Sequence, residues 1–399
     1  MRVALISLTQ RAGDAPATPL ATLALAGRSV AERQLDLVLS LGCERVVCLA
    51  QGFDQALISL QHRAESAGAK FNLIAGPRPL AGLVNAADEL LVVAEGLLPA
   101  APEAKTALEN GPGVLVLPVE AGVAAGFERI DLNHAWAGVL AMPGRLVERL
   151  SQLPPDCDAI SSLLRIALQG RVPLRALPEA VLSERRWAII AGKSQLAELE
   201  PEWFRRHVAP PPLFAPGRAL ARIAMRVSGA RLLAKGWNPR ILAAGGVLVG
   251  GFGAVAAWFG LPLAGIAGVG LGWLISEAGA ALTAIARAGS PDETKPDHAI
   301  PASSIAIDLL LVAVLALALT GSWPERLYPA LMLVGAARAA GALIPGRWAE
   351  ITQDRAVLAL FLTAAAAGHA LLPAIQILSL ALIGAILGLA RGSAQLTRA

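Results

Sequence analysis

The apolar positions along this chain keep two different rhythms. Up to about residue 205, short apolar runs alternate with amphipathic stretches. RVALISL (2–8) is followed by SVAERQLDLVLSLG (29–42), which has helical spacing and a Gly stop. CERVVCLAQG (43–52) is a β-branched run, and FDQALISLQHRAESAG (53–68) is helical again. KFNLIAG (70–76), ELLVVAEG (89–96) and GVLVLPVEAG (113–122) are further candidates for buried strands. This alternation predicts a Rossmann-like α/β domain with a largely parallel sheet covered on both faces. Ligands of such sheets bind at the carboxyl ends of the strands.

From about residue 241 the rhythm changes to long apolar segments at roughly 241–260, 262–286, 303–321, 327–345, 355–372 and 373–391. Most have the ~17–25 residues needed to cross a hydrocarbon core. Each must be a helix, because lipid offers the backbone no hydrogen-bond partner. The segments are rich in Gly and Ala, which permits close helix packing. Between the two rhythms, EPEWFRRHVAPPPLFAPG (200–217) carries a Pro cluster that cannot continue a helix. The expected division is therefore an α/β domain at 1–205, a Pro-rich linker with a basic juxtamembrane helix at 206–240, and an all-α domain of six transmembrane helices at 241–399.

Composition supports the split. The 399 residues are 55% hydrophobic and only 16% charged, with a mean hydropathy of +0.58. That is too apolar for an ordinary soluble protein of this length. The formal net charge is +4. Arg218, Arg222, Arg226, Arg231, Lys235 and Arg240 follow one another with no acid between them. A charge run is ordinarily a solvated helix face. Placed directly before the first long apolar segment, it reads better as a cytoplasmic helix facing lipid headgroups. Nucleic acid is a poor competitor as partner, because no aromatic residues interleave with the arginines.

Orientation follows from the basic residues. The juxtamembrane run, Arg287 and Lys295, Arg347 and Arg355, and Arg391 and Arg398 would all lie inside, leaving Arg326 in the outer loops. The expectation is a multi-pass protein of a bacterial-type inner membrane with both termini cytoplasmic. The N-terminal apolar run is too short for a signal peptide and reads as a first strand. Cys43, Cys48 and Cys157 fit no metal spacing and read as buried thiols in a reducing compartment. The five histidines show no metal-ligand pairing, and His369 falls in the fifth span. Neither a G-x-S-x-G elbow nor a Walker-type loop occurs.

Glu277, Asp308 and Arg338 each fall inside an expected span. A charge at mid-membrane costs about 2.5–3.5 kcal/mol on insertion scales, so such residues face a cavity or a partner. Glu277 could face Asp308 across a polar cavity, face Arg338 as a lock, or reach water. Equally, Glu277 or Asp308 could pair with Arg338 to lock the bundle, or these residues could lie near the interface.

The stretch LLAKGWNPRILAAGGVLVGGFGAVAAWFG (232–260), with its Asn238-Pro239 and the basic helix before it, resembles the start of the CDP-alcohol phosphatidyltransferases. That family's motif is D-x2-D-G-x2-A-R-x8-G-x3-D-x3-D, whose acids hold two metal ions and the pyrophosphate. Aligning Ala286-Arg287 with its Ala-Arg puts Gly279 and Leu282 at the acid positions and Thr283 at the Gly. Glu277 lies near the first acid but out of register. Asp308 becomes one acid of the next helix only with a longer loop, which puts Ser304 at its partner position.

PLATLALAGRSVAERQLDLVLSLGCERVVCLA (19–50) resembles sugar-phosphate and inositol-phosphate nucleotidyltransferases. Thr18 stands where their Lys precedes Pro-Leu. The loop SLTQRAGDAPA (7–17) has one Gly where theirs is Gly-rich, and Glu95 stands near their metal-binding Asp.

Together the halves resemble a fusion whose first domain makes a CDP-alcohol and whose second consumes it, with both motifs largely degenerate. The resemblance implies a membrane protein related to phospholipid headgroup synthesis that acts by binding or regulation. Its partners would be membrane lipid and a CDP-alcohol or nucleotide, and it would pair as a homodimer. An active, divergent transferase is the alternative. Glu277, Arg287 and Asp308 would then be catalytic, Asn238, Arg338 and Glu95 would bind substrate, and Mg²⁺ or Mn²⁺ would be held by Glu277 and Asp308. A small-molecule or lipid transporter is a third reading.

Overall fold

The structure, a computed structural model, describes residues 1–52, 55–154, 156–287, 298–344 and 346–396. Lys295 and Arg398, invoked above for orientation, lie outside them. The chain forms two compact units, Met1–Glu202 and, in the main, Trp203–Ala286 with Pro296–Ala399.

The first unit is built on a seven-stranded sheet. Its strands are β1 Arg2–Ser7, β2 Arg45–Leu49, β3 Lys70–Ile74, β4 Glu89–Val93, β5 Gly113–Pro118, β6 His134–Pro143 and β7 Leu174–Ala176, in the order β7-β5-β6-β4-β1-β2-β3. Five of the strands were marked by their apolar runs. All neighbours pair parallel except β6, which is antiparallel to both β4 and β5. The runs are apolar without alternation because both sheet faces are covered, and Val3, Ala4, Leu5, Leu90, Leu91 and Val92 are wholly buried.

Helix α1 (Val30–Ser40) follows the expected pattern. Ser29 and Glu32 cap its first turn reciprocally, satisfying amides that have no partner inside the helix. Helices α2 (Gln55–Ser66), α3 (Ala101–Leu108) and α4 (Ala159–Gln169) complete the cover. Cys43 and Cys48 are buried and Cys157 half-buried, all three as free thiols. Burial pushes the Cys43 thiol up to about 12.

Helix α5 (Lys193–His207) contains the division between the units. The second unit continues with α6 (Pro216–Ala234), α7 (Pro239–Trp258), α8 (Pro262–Arg287), α9 (Ala299–Ala318), α10 (Trp323–Leu343), α11 (Arg347–Gln353), α12 (Arg355–Ala367) and α13 (Leu371–Leu396). Each of the six expected spans coincides with one helix, but the six are not equivalent. Four (α7, α8, α9 and residues 371–388 of α13) are long and apolar enough to cross a membrane. Helix α10 carries Glu325, Arg326 and Arg338. Helix α12 has 13 residues, a length of about 20 Å, against the ~30 Å of a hydrocarbon core.

The helices pack α7 on α9, α9 on α10 and α10 on α13 around Ile266, Trp273, Leu311, Leu315, Leu333 and Leu362. Helices α7 and α8 meet backbone to backbone. A β-carbon on Gly246 would strike the Gly272 carbonyl oxygen, and one on Gly253 would stand 2.7 Å from that of Gly265. His369 is not inside a span as expected; it is exposed in the turn between α12 and α13, with φ +56°.

Candidate functional site

Each unit gathers polar side chains at one place. In the first unit the place is the carboxyl end of the adjacent strands β1 and β4. Glu95 leaves β4 there, buried at 5% exposure. Its Oε2 accepts from the Ser7 hydroxyl at 2.7 Å and from the Thr9 amide and hydroxyl at 3.1 Å each. Its Oε1 accepts from the Gln10 amide at 2.7 Å. The turn that carries Glu95 is tightly held. Gln34, wholly buried, donates its amide to the Ala94 and Leu97 carbonyls at 2.9 and 3.1 Å. Gly96 has φ +81°, and a β-carbon there would strike the Ile190 carbonyl oxygen.

The loop after β1 is fixed at a second point. Asp14 accepts from the Lys193 and Ser194 amides at 2.7 Å each, capping the start of α5. Those backbone hydrogen bonds hold its carboxyl below the ordinary carboxylate value, the Ser194 amide first. In this loop the Thr9 and Gln10 amides are spent on the chain's own Glu95 carboxylate.

In the helical unit a cavity of about 210 Å³ is lined by Arg218, Trp273, Glu277, Ser304, Arg338, Gly341, Ala342, Gln353 and Arg355. The basic helix α6 supplies Arg218, whose Nε lies 3.3 Å from Glu277 Oε2 and whose Nη1 donates to Gln353 at 3.3 Å. Asp308 is buried beside this cavity. Arg355 grips it with Nε at 2.7 Å and Nη2 at 3.3 Å. Arg338 Nε lies 2.7 Å from Asp308 Oδ2, which Arg355 Nη2 also meets, and Arg338 Nη2 donates to Ser304 at 3.3 Å.

Asp308 takes the lock with Arg338, and Glu277 pairs with neither Asp308 nor Arg338 but with Arg218. Arg355, read from sequence as an inner-loop charge, is 5% exposed and sealed in that lock, so it is not the free interfacial cation that the orientation argument assumed.

Asp354 lies between Gln353 and Arg355, both of which line the cavity. It is 1% exposed. Its Oδ2 accepts from the Gly217 and Arg218 amides at 2.8 and 3.2 Å, and its Oδ1 from those of Ala356 and Val357 at 3.1 Å each. One carboxylate thus caps both α6 and α12 and sets the start of the helix that carries Arg218. Nothing in the sequence pattern marked it. An Asp just before an apolar run is the available signal, and it announces only the α12 cap.

The remaining expected residues stand apart. Asn238 caps α7, its side chain accepting from the Arg240 amide at 3.0 Å, with Pro239 at the first helical position. Arg287 ends α8 and does not line the cavity.

A divalent ion needs clustered oxygen ligands, and the described residues contain no group of three His, Cys, Asp or Glu placed to hold one. The positions where the resemblance expects acids are closed. A β-carbon on Gly279 would come within 2.6 Å of the Ala243 amide nitrogen, and Leu282 is wholly buried. Glu277 and Asp308 each face guanidinium groups. Mg²⁺ or Mn²⁺ does not fit this set.

No family model matches the sequence, and no curated protein matches it. Among solved structures, the chain is similar to a UDP-glucose pyrophosphorylase from Acinetobacter baumanii at 10% identity and a TM-score of 0.37, covering 52% of this chain and 94% of that one. It is similar to a UDP-glucose pyrophosphorylase complexed with UDP-glucose at 12% identity and a TM-score of 0.34, covering 44% and 90%. It is also similar to the inositol-1-phosphate CTP transferase from T. maritima at 14% identity and a TM-score of 0.36, covering 51% and 96%. The likeness falls on the N-terminal half.

Proposed function

We propose that this is an integral membrane protein that binds, rather than turns over, a phosphate-bearing ligand at the arginine-lined cavity of its helical unit. The ligand class is an anionic lipid headgroup or a CDP-alcohol. The setting is a cytoplasmic membrane, with the α/β unit as an accessory domain of degenerate nucleotidyltransferase type. The observation that carries this reading is the state of the acids. Glu95 and Asp308 have both oxygens committed to protein donors and Glu277 has one, and three arginines against two carboxylates, Glu277 on the wall and Asp308 beside it, leave the cavity with a net positive charge that attracts anions.

The test is made on the full chain purified in detergent. Inorganic phosphate and a CDP-alcohol are each titrated without metal and followed by thermal shift, since a ligand that binds only the native state raises its stability. A saturable rise that Arg338→Ala abolishes is the expected result. Metal-dependent release of CMP from a CDP-alcohol, lost in Glu277→Ala, overturns the binding reading in favour of an active transferase. That alternative draws on one feature, the presence of Glu277 on the cavity wall.

A further inference from the structure

The carboxylate of Glu95 is nearly buried, yet it has no cationic partner among the described residues. Four neutral donors take that role: the Thr9 and Gln10 amides and the Ser7 and Thr9 hydroxyls, all within 3.1 Å. Convergent backbone amides and hydroxyls are the means by which loops at strand ends hold phosphoryl oxygens. The place is also the one where open α/β sheets hold their ligands, beyond the carboxyl ends of adjacent parallel strands.

The fit of Glu95 is built in from behind. The Gln34 amide bonds and the Ile190 amide donating to the Gly96 carbonyl at 2.9 Å fix the turn that delivers it. Gly96 leaves no room for any side chain next to it.

We propose that the Ser7–Gln10 loop is an anion cradle filled by the protein's own Glu95 carboxylate. The α/β unit is thereby closed to phosphoryl groups at this point. Removing the Glu95 side chain opens a site for inorganic phosphate or pyrophosphate. This inference does not depend on the cavity of the helical unit.

Hydrogen exchange on the full chain in detergent tests it. In Glu95→Ala, the Thr9 and Gln10 amides lose a charged acceptor and exchange about tenfold faster or more. Pyrophosphate restores their protection saturably, and sodium chloride at matched ionic strength does not. Serine at position 7 is then replaced as well: the Ser7→Ala/Glu95→Ala double variant needs more pyrophosphate for the same protection.

Three results overturn the proposal: amides that stay protected in Glu95→Ala without added anion, lost protection that pyrophosphate restores no better than chloride, and saturable pyrophosphate protection of this loop in the unaltered protein. Should Glu95→Ala fail to fold, Glu95→Gln decides. Its neutral amide fills the cradle but presents N–H groups to at least one donor. Faster exchange at Thr9 or Gln10, with no response to pyrophosphate, supports the proposal, and exchange as slow as in the unaltered protein at both positions refutes it.

Discussion

Carboxylates on loops and carboxylates in mid-helix are held in opposite ways, and Asp36 in the middle of α1, met by Arg28 and Arg63, puts one of the second kind in the α/β unit as well. In the α/β unit, Glu95 is held by amides and hydroxyls, and Asp14 by amides. In the middle of the bundle, Glu277 and Asp308 are held by guanidinium groups. The difference follows from the backbone. A loop leaving a strand has spare N–H groups, whereas in mid-helix each N–H is already bonded to the carbonyl four residues back. An acid in mid-helix finds no free backbone amide, and in the bundle the side chains that meet it carry charge. Asp354 confirms the rule from inside the helical unit. It sits where two helices begin, and there unpaired amides are available again.

The largest effect should come from Asp308. Replacing it with Ala leaves Arg355 buried without its counter-charge, at a cost of about 3–5 kcal/mol. Thermal unfolding of the detergent-purified protein should show it. Asp308→Leu combined with Arg355→Met should recover most of that loss, and failure to do so would weaken the case that charge pairing, rather than shape, holds this point.

Asp354→Ala comes next. It strands amides at the starts of α6 and α12, for about 1–3 kcal/mol. Because that cap sets where Arg218 stands, phosphate binding at the cavity should weaken in parallel. A loss of stability with unchanged phosphate affinity would separate the cap from the site.

Glu277→Gln should cost less than about 1 kcal/mol, because the pair with Arg218 is partly exposed and long. The same change should tighten phosphate binding by removing the one lining carboxylate.

The smallest effect concerns Asp14. Its folded-state carboxyl lies below the ordinary value of 3.8. Its contribution is therefore fully present above that value and is lost as pH falls through the lower folded one. Exchange at the start of α5 should speed up in that acid window, and Asp14→Asn should reproduce the change at neutral pH.

The sequence made the frame legible because local rules govern it. Apolar runs of strand length, the Ser29–Glu32 capping box and the span-length segments all act within a few residues. The partners at the sites lie far apart along the chain. Arg355 and Asp308 are 47 positions apart, Arg218 and Glu277 59, and Gly217 and Asp354 137. No periodicity encodes such pairs. Asp308 with Arg338 could be considered because intramembrane charges are few, while Arg355 escaped notice because it begins a helix and so looked like a loop charge. The apolar stretch at 355–372 has the length of a full span, but the Gly368–Ala370 turn ends α12 early.

The glycine contact between α7 and α8 has a mechanical consequence. Helices spaced by side chains can slide past one another, one layer of rotamers at a time. These two touch through peptide groups at Gly246 and Gly272 and again at Gly253 and Gly265. With no side chain there to yield, α7 and α8 form a single stiff strut. A transporter works by rocking one group of helices against another, and that boundary would have to fall elsewhere in the bundle. A strut of this kind suits a protein that holds a ligand in one fixed posture.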